Sequence, residues 1–418
     1  MSSRSRADAA IGGSQNPTPQ TAIVRWPFAL RVLRFLLLGC GVVAFAVGLW
    51  TGFARLGVGL TGAAPQFVEY HGALMICGFF GTLISVERAV AFNRPFAYLI
   101  PVCAATGVLA LLAKATTLAG AAFLMASLGL AAASLWNMRR LRSALLAGIP
   151  SIAALSWGLG TLLWLANRPA AESAGWWLAF LVLTVAAERL ELSRVAAPPP
   201  IARAFFVTIV IVILIGVASG ELDQPPSPFL GTGLLACGAW LLIYDLARRT
   251  VRLSGQIRFT AACMLLGYGW LIIAGLELLV WPLHLTLFWY DATVHAVTLG
   301  FVLSMVFGHS LIILPSVIGL KLRYSPLLYL PLLLLQISVA IRIAADFSGW
   351  TALRSPSGFL TVAAVALFAV TVAAVSGRSR ARRQGRAQVI QTEWEQIDVE
   401  PSPPSRRLGA ADRLCQRH

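Results

Sequence analysis

The stretch that decides the fold runs Tyr70-His71-Gly72-Ala73-Leu74-Met75-Ile76-Cys77-Gly78-Phe79-Phe80-Gly81-Thr82-Leu83-Ile84-Ser85-Val86-Glu87-Arg88. Between His71 and Glu87 no residue is charged, and the run is about as long as a helix needs to cross a bilayer. A histidine stands near its start and a Glu-Arg pair near its end. Ionisable groups in that setting are costly, and they carry function or hold helices together.

Outward from this stretch the same pattern repeats. The chain has 418 residues, 58% hydrophobic and 12% charged, with a mean hydropathy of +0.77. A soluble domain carries about 25% charged residues, so an ordinary soluble enzyme is excluded. Apolar runs set off by Gly, Pro and Arg give twelve spans. Their limits are about 28–52, 67–92, 96–114, 117–137, 143–166, 173–192, 201–219, 226–248, 256–281, 290–319, 325–346 and 355–376. The sequence thus predicts an all-α polytopic membrane protein. Residues 1–27 form a polar tail, 28–376 the transmembrane domain, and 377–418 a tail that is basic and then acidic. The first ~24 residues lack the apolar core of a secretory signal, so no cleaved signal peptide is expected.

Net charge is +16, but the positive residues lie between spans rather than on a basic helix or an aromatic-interleaved patch. The expected partner is therefore the lipid bilayer and not nucleic acid. With the N-terminus inside, the inner loops hold Arg88, Arg94, Arg139, Arg140, Arg142, Arg189, Arg194, Arg203, Arg248, Arg249, Arg252, Arg258, Lys321 and Arg323. The outer loops hold only Arg55, Lys114, Arg168 and Arg354. That asymmetry places both termini in the cytoplasm of a bacterial inner membrane. The basic run from Arg378 to Arg386 suits contact with anionic lipid. Six cysteines with no Cys-x-x-Cys pair read as small packing residues.

Spans 2, 6 and 10 align without gaps. Gly78-Phe79 through Glu87-Arg88 matches Ala179-Phe180 through Glu188-Arg189, and also Gly300-Phe301 through His309-Ser310. The chain then reads as three pseudo-repeated four-helix units around an axis normal to the membrane. Glu87, Glu188 and His309 fall at one depth in the cytoplasmic half. Two carboxylates and an imidazole suit a second metal (copper, iron or zinc) or a proton-transfer site. The alternative is that Glu87 and Glu188 pair with Arg88, Arg189 or inner-loop arginines.

Among the five histidines, His418 lies in the tail and His284 in an outer loop. His71 and His295 each lie about one turn into spans that start at the outer face, so they share a depth. Two helices facing each other with one histidine each can hold a b-type heme. Gly72, Ala73, Gly78, Ala296 and Gly300 would leave room for it, and Arg342 or Arg55 would neutralise its propionates. His295 and His309 are 14 residues apart, about 40° out of phase on a regular helix. Met75 and Met305 are candidate soft ligands, though such residues more often only pack.

With histidines on spans 2 and 10 of a twelve-span chain, the sequence resembles the heme-copper oxidase subunit I superfamily. The stretches His71-Gly72-Ala73-Leu74-Met75 and Gly308-His309 also resemble NnrS-type membrane proteins. The first resemblance implies a low-spin heme near the outer face on His71 and His295. The second implies heme and copper in a response to nitric oxide; a redox partner or quinol is a further expected partner. A terminal oxidase needs histidines for two hemes and a copper centre, and three intramembrane histidines are too few. The rival expectation is a proton-coupled secondary transporter that uses Glu87, Glu188 and Arg342. No phosphate-binding loop, Gly-x-Ser-x-Gly elbow or Cys-x-x-Cys-His motif is present.

Overall fold

The computed structural model describes residues 28–59, 65–141, 144–193, 198–220, 222, 227–280, 288–319 and 322–397. The expected N-terminal tail, His284 and residues 398–418 lie outside the described residues. Among the described residues there is no strand.

Among the described residues twelve principal helices follow one another. They are α1 (Phe28–Arg55), α2 (Ala73–Phe92), α3 (Pro95–Leu112), α4 (Thr116–Leu141), α5 (Ala144–Leu165) and α6 (Ala170–Ser193). The second half adds α7 (Pro200–Ala218), α8 (Pro228–Tyr244), α9 (Gly255–Val280), α10 (Trp289–Ile318), α11 (Pro326–Ser348) and α12 (Thr351–Ile397). Eleven of them are long and apolar enough to cross a membrane, and α8, with 17 residues, is the short one. The protein is an all-helical polytopic membrane protein.

Helix ends fall where the sequence supplies a left-handed residue or a proline. Asn93 ends α2 at φ 53°, and Gly319 and Gly349 end α10 and α11 at φ 71° and 68°. Pro95, Pro200, Pro228 and Pro326 sit in the first turn of the helices they open, where the missing N–H costs nothing. The backbone of α12 stays helical to Ile397, well past the expected end of that span at 376.

Consecutive helices pack as neighbours, and several also pack out of that order. The helices with the largest buried shares are α6 (83%), α10 (67%) and α2 (61%). Each of these three touches the other two, so they form the centre that the remaining helices surround. They are the three whose sequences align. Their packing depends on small residues: a Cβ on Gly78 would lie 3.0 Å from Ala44, and one on Gly300 would lie 2.5 Å from the Trp270 ring. Large aromatics pack on these helices, including Trp157 of α5 stacked on Phe180 of α6 at 5.1 Å, and Phe301 of α10 is fully buried.

Two of the central helices share a backbone irregularity. Residues Ala73–Phe80 of α2 and Ala296–Leu303 of α10 are π-helical. In each case the segment begins just after a histidine, His71 or His295. A π segment bonds i→i+5, and such segments cluster at functional sites. The segment in α10 also separates His295 from His309, so a phase count that assumes a regular α-helix does not hold between them.

Candidate functional site

At the end where α2 and α10 begin, a cavity of about 730 Å3 opens among α1, α2, α6, α10, α11 and α12. That volume falls within the range of cofactor and ligand sites. Both His71 and His295 are on its wall. Apolar and aromatic groups, among them Phe45, Phe80, Leu303 and Trp177, make up much of the lining, and Arg55, Glu69, Arg168, Asp291, Arg342 and Arg354 add its charged groups.

The bonds at the two imidazoles determine what they can do. His71 Nδ1 lies 2.8 Å from the Gly48 carbonyl of α1, and His295 Nδ1 lies 2.6 Å from the Asp291 carbonyl one turn earlier in α10. A carbonyl oxygen only accepts, so each Nδ1 carries the hydrogen and donates it. In the neutral ring the lone pair is then on Nε2. A backbone carbonyl on the far nitrogen is the usual device for orienting a metal-ligating histidine and fixing its tautomer.

Glycine makes this approach possible on α1. A Cβ at Gly52 would sit 2.9 Å from His71 Cε1, and one at Gly48 would sit 2.6 Å from Met75 Sδ. The Gly48 carbonyl also accepts the Thr51 hydroxyl at 2.8 Å. The α1 face Gly48-x-x-x-Gly52 is therefore shaped to seat the His71 ring.

Of the small residues expected to leave room, Gly72 and Ala73 line the cavity. Gly78 and Gly300 instead let helices approach each other, as described above. Ala296 is fully buried, away from the cavity wall.

Behind His295 lies an ion-pair network that the sequence did not reveal. Asp346, fully buried on α11, accepts from Arg342 Nε at 2.8 Å and from Arg354 Nε at 2.6 Å. The Asp291 carboxylate accepts from Arg354 and lies 3.5 Å from Arg342 Nη2. Arg354, expected as a plain loop charge, is 9% exposed and stacks on Phe288 at 3.7 Å. Arg342 is thus held in this network and faces the cavity at the same time. Arg55 is at the exposed mouth, within electrostatic range of His71 and Asp291.

The other three expected residues lie toward the opposite end. Glu188 of α6 forms an ion pair with Arg88 of α2. Glu87 and His309 are both within electrostatic range of that pair. Like the other two, His309 donates Nδ1–H to a carbonyl, that of Met305, at 2.8 Å. Buried Arg189 contacts the Met264 sulfur at 3.9 Å. Among the described residues no group of three or more His, Cys, Asp and Glu side chains comes together in a way that could hold a metal ion. None of Glu87, Glu188 and His309 lines the histidine cavity. Glu188 thus has the cross-helix arginine partner that a purely structural role would give it.

Residues 33–377 match the model of a family described as a domain of unknown function, DUF8744, and the chain belongs to that family. No curated protein and no solved structure matches the chain.

Proposed function

We propose that this DUF8744 member binds a b-type heme in the cavity between α2 and α10, where His71 and His295 would hold it, and serves in membrane electron transfer. One observation carries the reading. Two imidazoles, each anchored through Nδ1 to a backbone carbonyl and so left with Nε2 for a ligand, line a single cavity of cofactor size.

The donor set and the lining suit that group. Imidazole pairs on facing helices hold low-spin heme, and a largely apolar cavity whose lining carries more arginines than carboxylates suits a flat apolar ring bearing two carboxylates. Arg55 at the mouth and Arg342 in the wall would be the cations to meet propionates. When bound, the heme would supply one-electron redox chemistry. The chain's own groups orient the ligands, exclude water through Trp177, Phe80 and Leu303, and balance charge in the lining.

His71 and His295 would both be committed to holding the heme. This favours electron transfer with a quinol or protein redox partner over direct binding of nitric oxide or another gas. In this reading the cavity opens toward the periplasmic side of a bacterial inner membrane with both termini in the cytoplasm, which the loop-charge asymmetry supports.

The reading is tested by heme extraction from detergent-purified protein. Close to one heme per chain is expected in the wild type, with loss in His71→Ala and in His295→Ala. Wild-type protein that stays folded, yet takes up no heme when supplied with it, would contradict the reading.

A further inference from the structure

Glu277 is a buried carboxyl on α9 with an incomplete set of partners. It is 8% exposed. Its Oε2 accepts the Thr293 hydroxyl of α10 at 3.3 Å, and its Oε1 is buried with no hydrogen-bond partner. The charged groups beyond it belong to the network behind His295. Asp346 and Arg342 come from α11, Arg354 from α12, and Asp291 and His295 from α10. From the remaining side α8 packs on this part of α9 through Gly231 and Leu235, which carry no charge.

Counting partners decides the state of the group. Both guanidiniums are engaged with Asp346 and Asp291, and Glu277 receives only a neutral hydroxyl. An ionised carboxylate buried without a cation and with one bare oxygen is strongly disfavoured, whereas the protonated acid is not. The bare Oε1 is where that proton fits.

We propose that Glu277 is a proton-binding site, loaded at neutral pH, whose occupancy follows the charge held in the histidine cavity. Loading forms an O–H bond on Oε1 with a proton from bulk water, and no electron moves in that step. The coupling half of the proposal rests on the heme reading. Through the Arg342–Asp346–Arg354 network, an electron gained in the cavity tightens the hold on the proton, and its loss loosens it.

Infrared spectroscopy of the full-length purified protein tests the site whether or not a cofactor is present. A protonated-carboxyl C=O band is expected at neutral pH that shifts in D2O, disappears in Glu277→Gln and persists in Glu87→Gln. A spectrum unchanged in Glu277→Gln overturns the site. Should that variant fail to fold, Thr293→Val decides: the same band must move when the hydroxyl is removed, and a band that stays put overturns the proposal. The visible spectrum of the same sample reads the cofactor separately. Where a heme is present, its midpoint potential is expected to fall with rising pH in the wild type, with a shallower slope in Glu277→Gln. Equal slopes overturn the coupling while leaving the heme reading intact.

Discussion

Asp291 holds His295 from one turn away: its backbone carbonyl accepts the imidazole Nδ1–H at 2.6 Å, while its side-chain carboxylate is gripped by Arg354. One residue therefore ties the ring orientation to an ion-pair network that joins α10, α11 and α12. The wall of the cavity is built from a charged clamp as well as from apolar packing.

The clamp should fail most severely at its buried centre. Asp346 is fully buried and bonded to two guanidiniums, so Asp346→Ala leaves both arginines without their main counter-charge. Removing one partner of a buried pair costs about 3–5 kcal/mol. Thermal unfolding in detergent should show Asp346→Ala as the least stable variant of the network, below Asp291→Asn. Equal stability in the two would argue that Asp346 is not the centre.

Gly52 and Gly300 separate a ligand-seating role from a packing role. Alanine at Gly52 puts a methyl 2.9 Å from His71 Cε1 and displaces the ring from the Gly48 carbonyl. The expected outcome is normal expression with weakened heme binding. Alanine at Gly300 instead meets the Trp270 ring at 2.5 Å, so lower stability is expected even without cofactor. Heme titration and thermal unfolding of both variants distinguish the two effects.

Arg88 and Glu188 form a bridge between α2 and α6, two of the three central helices. Each single change, Arg88→Glu or Glu188→Arg, sets like charges against each other and should lower the melting temperature. The double charge swap should recover a substantial part of the loss. A double variant no better than the worse single one would mean the pair contributes nothing through its charges.

His309 lies away from the histidine cavity and outside any group able to hold a metal among the described residues. His309→Gln is therefore expected to leave heme stoichiometry unchanged. Element analysis of wild type and variant is the check, and loss of iron in the variant would move His309 into the ligand set.

The membrane fold was legible because a bilayer imposes a length and a composition on every span, and both are visible in a linear sequence. That His71 and His295, which line one cavity, belong together could be read from where their spans begin. The π-helical segments after each histidine were not legible, since a change from i→i+4 to i→i+5 bonding leaves no mark in Ala73–Phe80 or Ala296–Leu303. Arg354 read as a loop charge because its partner Asp346 lies across the turn between α11 and α12. Glu277 was hidden inside an apolar run, and its isolation from cations appears only once α9 is placed against α10. The Arg88 bridge to Glu188 likewise needs α2 beside α6, whereas the sequence offers several neighbouring arginines as equal partners.

The most direct test of the central claim is the absorption spectrum of the purified protein, oxidised and then dithionite-reduced, in wild type and in His71→Ala and His295→Ala. The account predicts a Soret band and a sharp reduced α-band in the wild type, with the α-band lost in each variant. A featureless wild-type spectrum after heme supplementation, or an α-band that survives both substitutions, would contradict it.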